Sequence, residues 1–217
     1  MNFLKTILRW PSWTIRFIIF LIAVTFFKIR VKGQKNLPKD SGALLVSNHV
    51  TLLDALFIIA AVPRMVRFVM IKKVYDKPFL HYFFKLMNMI PIDVGNSKNA
   101  LEDFNNLCQK EINEGNVVCI FAEGQLSRNG HLQGFKKGVE HIAKGIKAPI
   151  IPLHMEGLHQ VPLAINPVTH KLNPFSFVYL FKKVFVTIGE DLSPKTSSFV
   201  LRKRIKELEM NNISWRL

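Results

Sequence analysis

A chain of 217 residues is the size of one ordinary domain and can bury a sizeable core without disulfides or metals. Its two cysteines exclude a disulfide framework, and 49% hydrophobic residues with a mean hydropathy of +0.18 make it apolar for a free cytosolic enzyme yet far short of a polytopic membrane protein. The net charge of +15 and a pI near 10.0 call for an anionic partner surface, either nucleic acid or phospholipid headgroups.

Residues 17–27 form an uncharged apolar run, with Lys5, Arg9 and Arg16 before it and Lys28, Arg30 and Lys32 after it. As a helix this run spans only about 16 Å against a hydrocarbon core of about 30 Å, too short to cross unaided. Trp10 and Trp13 beside Arg9 and Arg16 are the pairing expected where rings sit at the headgroup level and cations in water. Residues 1–30 are therefore expected to be a membrane-associated helical segment, peripheral or monotopic. A buried core helix, or a spanning helix extended past Arg16, is the alternative. The run leads into Phe26-Phe27-Lys28-Ile29-Arg30, which lacks the small residues of a signal-peptide cleavage site.

After turn-rich residues 32–42, residues 43–46 read as a short buried strand running into Ser47-Asn48-His49. Residues 52–62 suggest an apolar helix stopped by Pro63, and 66–71 a second strand. Leu101, Phe104, Cys108 and Ile112 have helical spacing ended by Gly115, and 117–121 is another apolar strand. Residues 134–143 read as a short helix, and 150–153 and 184–188 as strands. Residues 198–210 read as a closing amphipathic helix with Val200, Leu201, Ile205 and Leu208 on one face. Alternating strands and helices predict a single α/β domain over residues 31–217, with a mostly buried mixed sheet flanked by helices.

The chemistry concentrates in Ser47-Asn48-His49-Val50-Thr51-Leu52-Leu53-Asp54, which sets a histidine on a strand-to-helix turn, where side chains reach a cleft. Five residues apart on one continuous helix, His49 and Asp54 would be rotated by roughly 140 degrees and could not meet. With Thr51 as N-cap the helix starts after His49, and Asp54 in its first turn can point back at the imidazole. A carboxylate accepting the Nδ1 proton leaves Nε2 free to take a proton from a substrate hydroxyl.

A second stretch, Phe121-Ala122-Glu123-Gly124-Gln125-Leu126-Ser127-Arg128-Asn129-Gly130, follows a buried strand, a common ligand-facing place in α/β sheets. Downstream, Gly134-Phe135-Lys136-Lys137-Gly138 brings two lysines to an expected helix start, where cations and backbone N–H groups could hold a phosphate; a solvated charge pair is the plainer alternative.

Together these stretches resemble the glycerolipid and lysophospholipid acyltransferase family. Its Asn-His, four residues, Asp block is matched by Asn48, His49 and Asp54, and its Phe-Pro-Glu-Gly block by Phe121, Ala122, Glu123 and Gly124. Ile90-Pro91-Ile92-Asp93 and Ile151-Pro152-Leu153 echo the two remaining blocks, in the family's order. The resemblance implies His49 as general base with Asp54 orienting it, and an acceptor-facing set of Asn48, Glu123, Gly124, Ser127, Arg128 and Lys136. It also implies an acyl thioester donor, carried by coenzyme A or acyl carrier protein, and a lysophospholipid acceptor; taken with the basic charge and the apolar N-terminal run, the expected place is the cytoplasmic face of an anionic membrane. Neither a metal nor a resident cofactor is expected. Val94 and Leu126 stand where relatives acting on glycerol phosphates carry arginines, so the sequence looks closer to the 2-acylglycerophosphoethanolamine acyltransferase branch, with Arg128 and Lys136 on the acceptor phosphate. A phosphatidic-acid-forming enzyme and a catalytically silent membrane-binding homologue are the alternatives. Nucleic acid is not expected, because the cations are spread along the chain without a recognisable module. Tyr75, Phe79, Tyr82, Phe83, Phe84, Met87 and Met89, interleaved with lysines, are expected to be ordinary core packing, with an acyl-chain groove or a bilayer contact as the alternative.

Overall fold

The apolar runs around residues 45 and 119 become the neighbouring strands β2 (Ala43–Ser47) and β5 (Val117–Phe121), buried on both faces as parallel central strands are. The computed structural model describes residues 3–93, 98–127, 131–158, 181 and 183–211, with backbone alone at 3–12, 98 and 99. Five further strands join the sheet: β1 (Lys28–Lys32), β3 (Val66–Ile71), β4 (Ile90–Ile92), β6 (Ile150–Glu156) and β7 (Lys183–Ile188). Their order is β1-β7-β6-β2-β5-β3-β4. β6, β2, β5, β3 and β4 run parallel, and β7, antiparallel to β6, carries β1 parallel to itself. The sheet is thus mixed, as the sequence predicts.

Helices cover both faces. On one, α1 (Phe3–Phe26), α2 (Asp54–Ala61) and α4 (Pro78–Leu86) place Ile19, Phe57 and Phe84 against Leu45 and Cys119. On the other, α5 (Lys98–Asn113), α6 (Gly138–Lys144) and α7 (Ser198–Asn211) place Phe104, Ile142 and Leu201 against Leu44 and Val118. The four-residue helix α3 (Lys72–Tyr75) links β3 to α4. The chain leaves β2 toward β3 over the first face and leaves β5 toward β6 over the second, so the connections part between β2 and β5. That parting is a switch point, and the carboxyl ends of the two strands there are where ligands enter a crevice in open α/β sheets.

Several elements depart from the sequence reading. The first helix is 24 residues long, and its Ile19 and Ala23 are buried in the domain core. Arg16 is not a free solvated cation: it donates to the backbone carbonyls of Val62 and Arg64, tying α1 to the end of α2, with its guanidinium carbon 5.5 Å from the Trp13 ring centroid. Burial there lowers the Arg16 pKa. No helix among the described residues is long and apolar enough to cross a membrane. The basic stretch after α1 is the edge strand β1, which runs through the boundary drawn at residues 30 and 31. The helix expected from Gly134 begins only at Gly138. Val200 is exposed, so the buried stripe of α7 rests on Leu201 and Ile205. In the aromatic segment Phe84, Met87 and Met89 pack in the core as expected, while Phe79 is 97% and Tyr82 79% exposed.

Candidate active site

His49 sits just past the end of β2, at the crevice between β2 and β5. Its Nδ1 lies 2.8 Å from Oδ2 of Asp54, whose side chain is fully buried. The turn that makes this contact is built as the sequence suggests, with one difference. Thr51 Oγ1 accepts from the Leu53 N–H at 3.3 Å and the Thr51 carbonyl from the Asp54 N–H at 3.2 Å, so Thr51 opens the turn, but the regular helix begins at Asp54 itself. The Asp54 carboxylate reaches back to accept the backbone N–H of Val50 at 2.7 Å and of Thr51 at 3.2 Å. Burial pushes the Asp54 carboxyl upward, opposed by the His49 imidazole and those two N–H groups. Both backbone neighbours can only donate, so the ionised carboxylate is the form that satisfies them, and it assigns the shared proton to Nδ1. In the neutral ring Nε2 is then the nitrogen left to accept a proton, and the side chain is 19% exposed.

Two further constraints fix the ring. The Phe121 ring stacks on the imidazole with centroids 4.0 Å apart and planes 11° from parallel. The segment after β5 clamps the His49 backbone from both sides: Glu123 Oε1 accepts the His49 N–H at 2.9 Å, and the Ser127 N–H donates to the His49 carbonyl at 2.7 Å.

The acceptor-facing set divides under these contacts. Glu123 is 1% exposed, and its second oxygen accepts the Gln133 N–H at 2.9 Å, so both carboxylate oxygens brace backbone. Burial raises its pKa against those two N–H groups. Asn48 is buried, with its amide bonded at both ends to Met155, donating to the carbonyl at 2.9 Å and accepting the N–H at 2.8 Å. Asn48 and Glu123 thus hold the turn instead of presenting polar atoms to the crevice. The buried Ser127 hydroxyl donates to the His131 carbonyl at 2.9 Å. Gly124 takes φ +69°, which favours glycine, and the Lys136 side chain lies across it, its Cγ 3.3 Å from where a Cβ would stand. Lys136 precedes α6 instead of starting it, and donates its N–H to the Ala122 carbonyl at 2.8 Å. Arg128 and Val94 lie outside the described residues. Sequence reasoning missed Phe121 as the stacking partner and Gln133 as the second brace on Glu123. The signal for Phe121 was its place at the end of the strand beside the one that leads to His49.

The model of the acyltransferase family matches residues 28–156, more than half of the chain, and spans both stretches that build this turn. The chain belongs to the acyltransferase family. A 1-acyl-sn-glycerol-3-phosphate acyltransferase from Limnanthes douglasii is 29% identical to it over 174 residues, covering 77% of this chain and 61% of that protein. The protein of the same name from Bacillus subtilis is 26% identical over 191 residues, covering 83% of this chain and 88% of its own. The match spans only 38% of a chloroplastic 1-acyl-sn-glycerol-3-phosphate acyltransferase from Arabidopsis thaliana, at 26% identity over 137 residues. The crystal structure of the 1-acyl-sn-glycerophosphate acyltransferase PlsC from Thermotoga maritima superposes with a TM-score of 0.70 at 23% identity, covering 99% of this chain and 83% of that one, and so shares the acyltransferase fold.

Proposed function

We propose that this protein transfers a fatty acyl group from an acyl thioester to the free hydroxyl of a lysophospholipid. One observation carries the reading: an imidazole held on Nδ1 by a buried carboxylate, on a side chain that is itself partly exposed just past the end of β2. In the step this supports, Nε2 takes the acceptor hydroxyl proton as the oxygen attacks the thioester carbonyl carbon. As the carbon–sulfur bond breaks, the imidazolium returns the proton to the departing thiolate. Asp54 stabilises the imidazolium between the two transfers. No covalent acyl-enzyme is needed, and the buried Cys108 and Cys119 are poor candidates for one, since burial raises both thiols far above neutrality.

The acceptor is a phosphorylated lysolipid, with Lys136 over Gly124 and Arg128 as its cations. The names of the relatives favour 1-acylglycerol 3-phosphate, whereas Val94 and Leu126 favour a larger headgroup such as phosphoethanolamine. The donor is carried by coenzyme A or acyl carrier protein. The enzyme works on the cytoplasmic face of an anionic membrane, lying on it through the exposed Phe17, Phe20, Leu21 and Val24 of α1.

The test is incubation of purified protein with a panel of lysolipids and labelled acyl thioesters on both carriers, beside a His49→Ala control. Ester should form on at least one phosphorylated lysolipid with the wild type and be lost with the variant. Equal transfer by the variant, or none by the folded wild type on any acceptor, would overturn the proposal.

A further inference from the structure

We infer that the α3–α4 segment is a second bilayer-contacting element, separate from α1 and placed beside the mouth of the His49 crevice. The inference rests on the reading of the chain as an enzyme of bilayer lipids.

Helix α4 is apolar on opposite sides. Phe84 points into the core and is buried, whereas Phe79 and Tyr82, three residues apart and so on one face, are 97% and 79% exposed. Leu80 and Val74 add exposed apolar surface at 41% and 36%. Single exposed apolar residues are ordinary, but two nearly bare aromatic rings on one face of a helix are what a partner surface uses.

Charge complementarity identifies the partner. Residues 72–86 carry Lys72, Lys73, Lys77 and Lys85 against Asp76 alone, four positive charges against one negative, and all four lysines are exposed. Rings flanked by cations on flexible stems are suited to an anionic lipid surface, the rings entering the acyl boundary and the lysines meeting phosphates.

Placement ties the patch to the site. β3 runs parallel to β5 and β5 to β2, so α3, which starts directly after Ile71, rises from the same sheet edge as His49. The Phe68 ring of β3 lies 6.4 Å from the Phe121 ring that stacks on the imidazole. Phe84 belongs to the same core as Ile19 of α1 and Phe57 of α2, so α4 and α1 cover one side of the sheet. The exposed apolar residues of α1 and α4 therefore lie on the sheet face to which His49 and Phe121 belong. Contact through α1 alone leaves the crevice free to tilt; contact through α4 as well turns its mouth to the lipid, so an acceptor can enter without leaving the leaflet.

The test uses the full chain and vesicles of phosphatidylcholine with and without phosphatidylglycerol. A Phe79→Ser/Tyr82→Ser protein, altered only at exposed positions, is expected to lose about tenfold or more in affinity for the anionic vesicles. Its activity on a vesicle-embedded lysolipid falls with it, while activity on a short-chain acceptor dissolved as monomers stays within twofold of wild type. A Phe79→Cys protein carrying an environment-sensitive fluorophore is expected to show a blue shift on adding vesicles, reversed by high salt, and the buried native thiols leave that label site-specific. Vesicle affinity within twofold of wild type, or no fluorophore shift on bound protein, overturns the inference. So does a change confined to self-association or to binding of an acidic carrier protein. The binding and fluorescence measurements need no turnover, so absence of any acyl transfer would refute the proposed function and leave this inference to be decided by them.

Discussion

Replacing Asp54 by Asn tests the proposed division of labour at the imidazole, because it removes a charge and hardly any volume. With the amide carbonyl in place of Oδ2, the variant still accepts from Nδ1 and from the Val50 N–H, so the ring keeps its tautomer and place. What disappears is the attraction between carboxylate and imidazolium. At a charge separation of about 4 Å and an effective dielectric near 20, this is about 4 kcal/mol. Solvent at a ring that is 19% exposed trims it to roughly 2.5–4 kcal/mol, a loss of about 10²- to 10³-fold in kcat/KM. Stability moves less. The new NH₂ opposes the Thr51 N–H, costing about 1–3 kcal/mol, but a buried charge is replaced by a neutral amide, which offsets part of it. Steady-state acyl transfer measured beside a thermal melt separates the two effects. The expected result is activity down at least a hundredfold, with the melting temperature within about 6 °C of wild type. A folded Asp54→Asn enzyme retaining more than a third of wild-type kcat/KM would show that the carboxylate does not act through the imidazole.

Glu123→Gln keeps one acceptor and sets an NH₂ against the other backbone N–H, so it should lower stability by about 1–3 kcal/mol in denaturant melts; an unchanged midpoint would contradict the brace described here. Gly124→Ala forces a Cβ into a positive-φ position against Lys136, for about 1–2 kcal/mol of destabilisation read the same way. The thiols make stability fall at alkaline pH. Burial holds Cys108 up to about 12 and Cys119 higher still, while the unfolded thiols ionise near 8.5. Above about pH 8.5 the unfolded chain therefore binds fewer protons, and each thiol removes up to about 1.4 kcal/mol of stability per pH unit, with no such loss below that pH. A Cys108→Ala/Cys119→Ala protein should show a shallower decline between pH 8 and 10.5, and parallel declines would refute this. Finally, Phe121→Leu removes the stacked ring from the imidazole and should lower kcat more than it raises KM in the same acyl-transfer assay.

The central sheet was legible in the sequence because β2 and β5 are short uninterrupted apolar runs bounded by turns, a pattern that burial on both faces demands. The His49 turn was legible because a five-residue spacing admits contact only if a helix starts in between. β1 was missed because its charges fall on alternate residues, Lys28, Arg30 and Lys32, and read as a basic flank; the alternation is that of an edge strand with one face to solvent. The roles of Asn48 and Glu123 could not be read from order along the chain, since their partners Met155 and Gln133 sit on segments whose approach only the folded sheet defines. Phe79 and Tyr82 failed the expectation of core packing because α4 has apolar residues on both sides, and composition does not say which of them the core takes.

Asn48 grips a residue 107 positions further along the chain, so the turn depends on a distant part of the sequence. The histidine turn is not a self-contained motif: its Asn48 anchor exists only where β6 is docked against β2. A chain cut before Met155 would keep Ser47 to Asp54 but hold nothing to receive the Asn48 amide, so the turn would lose one of its anchors.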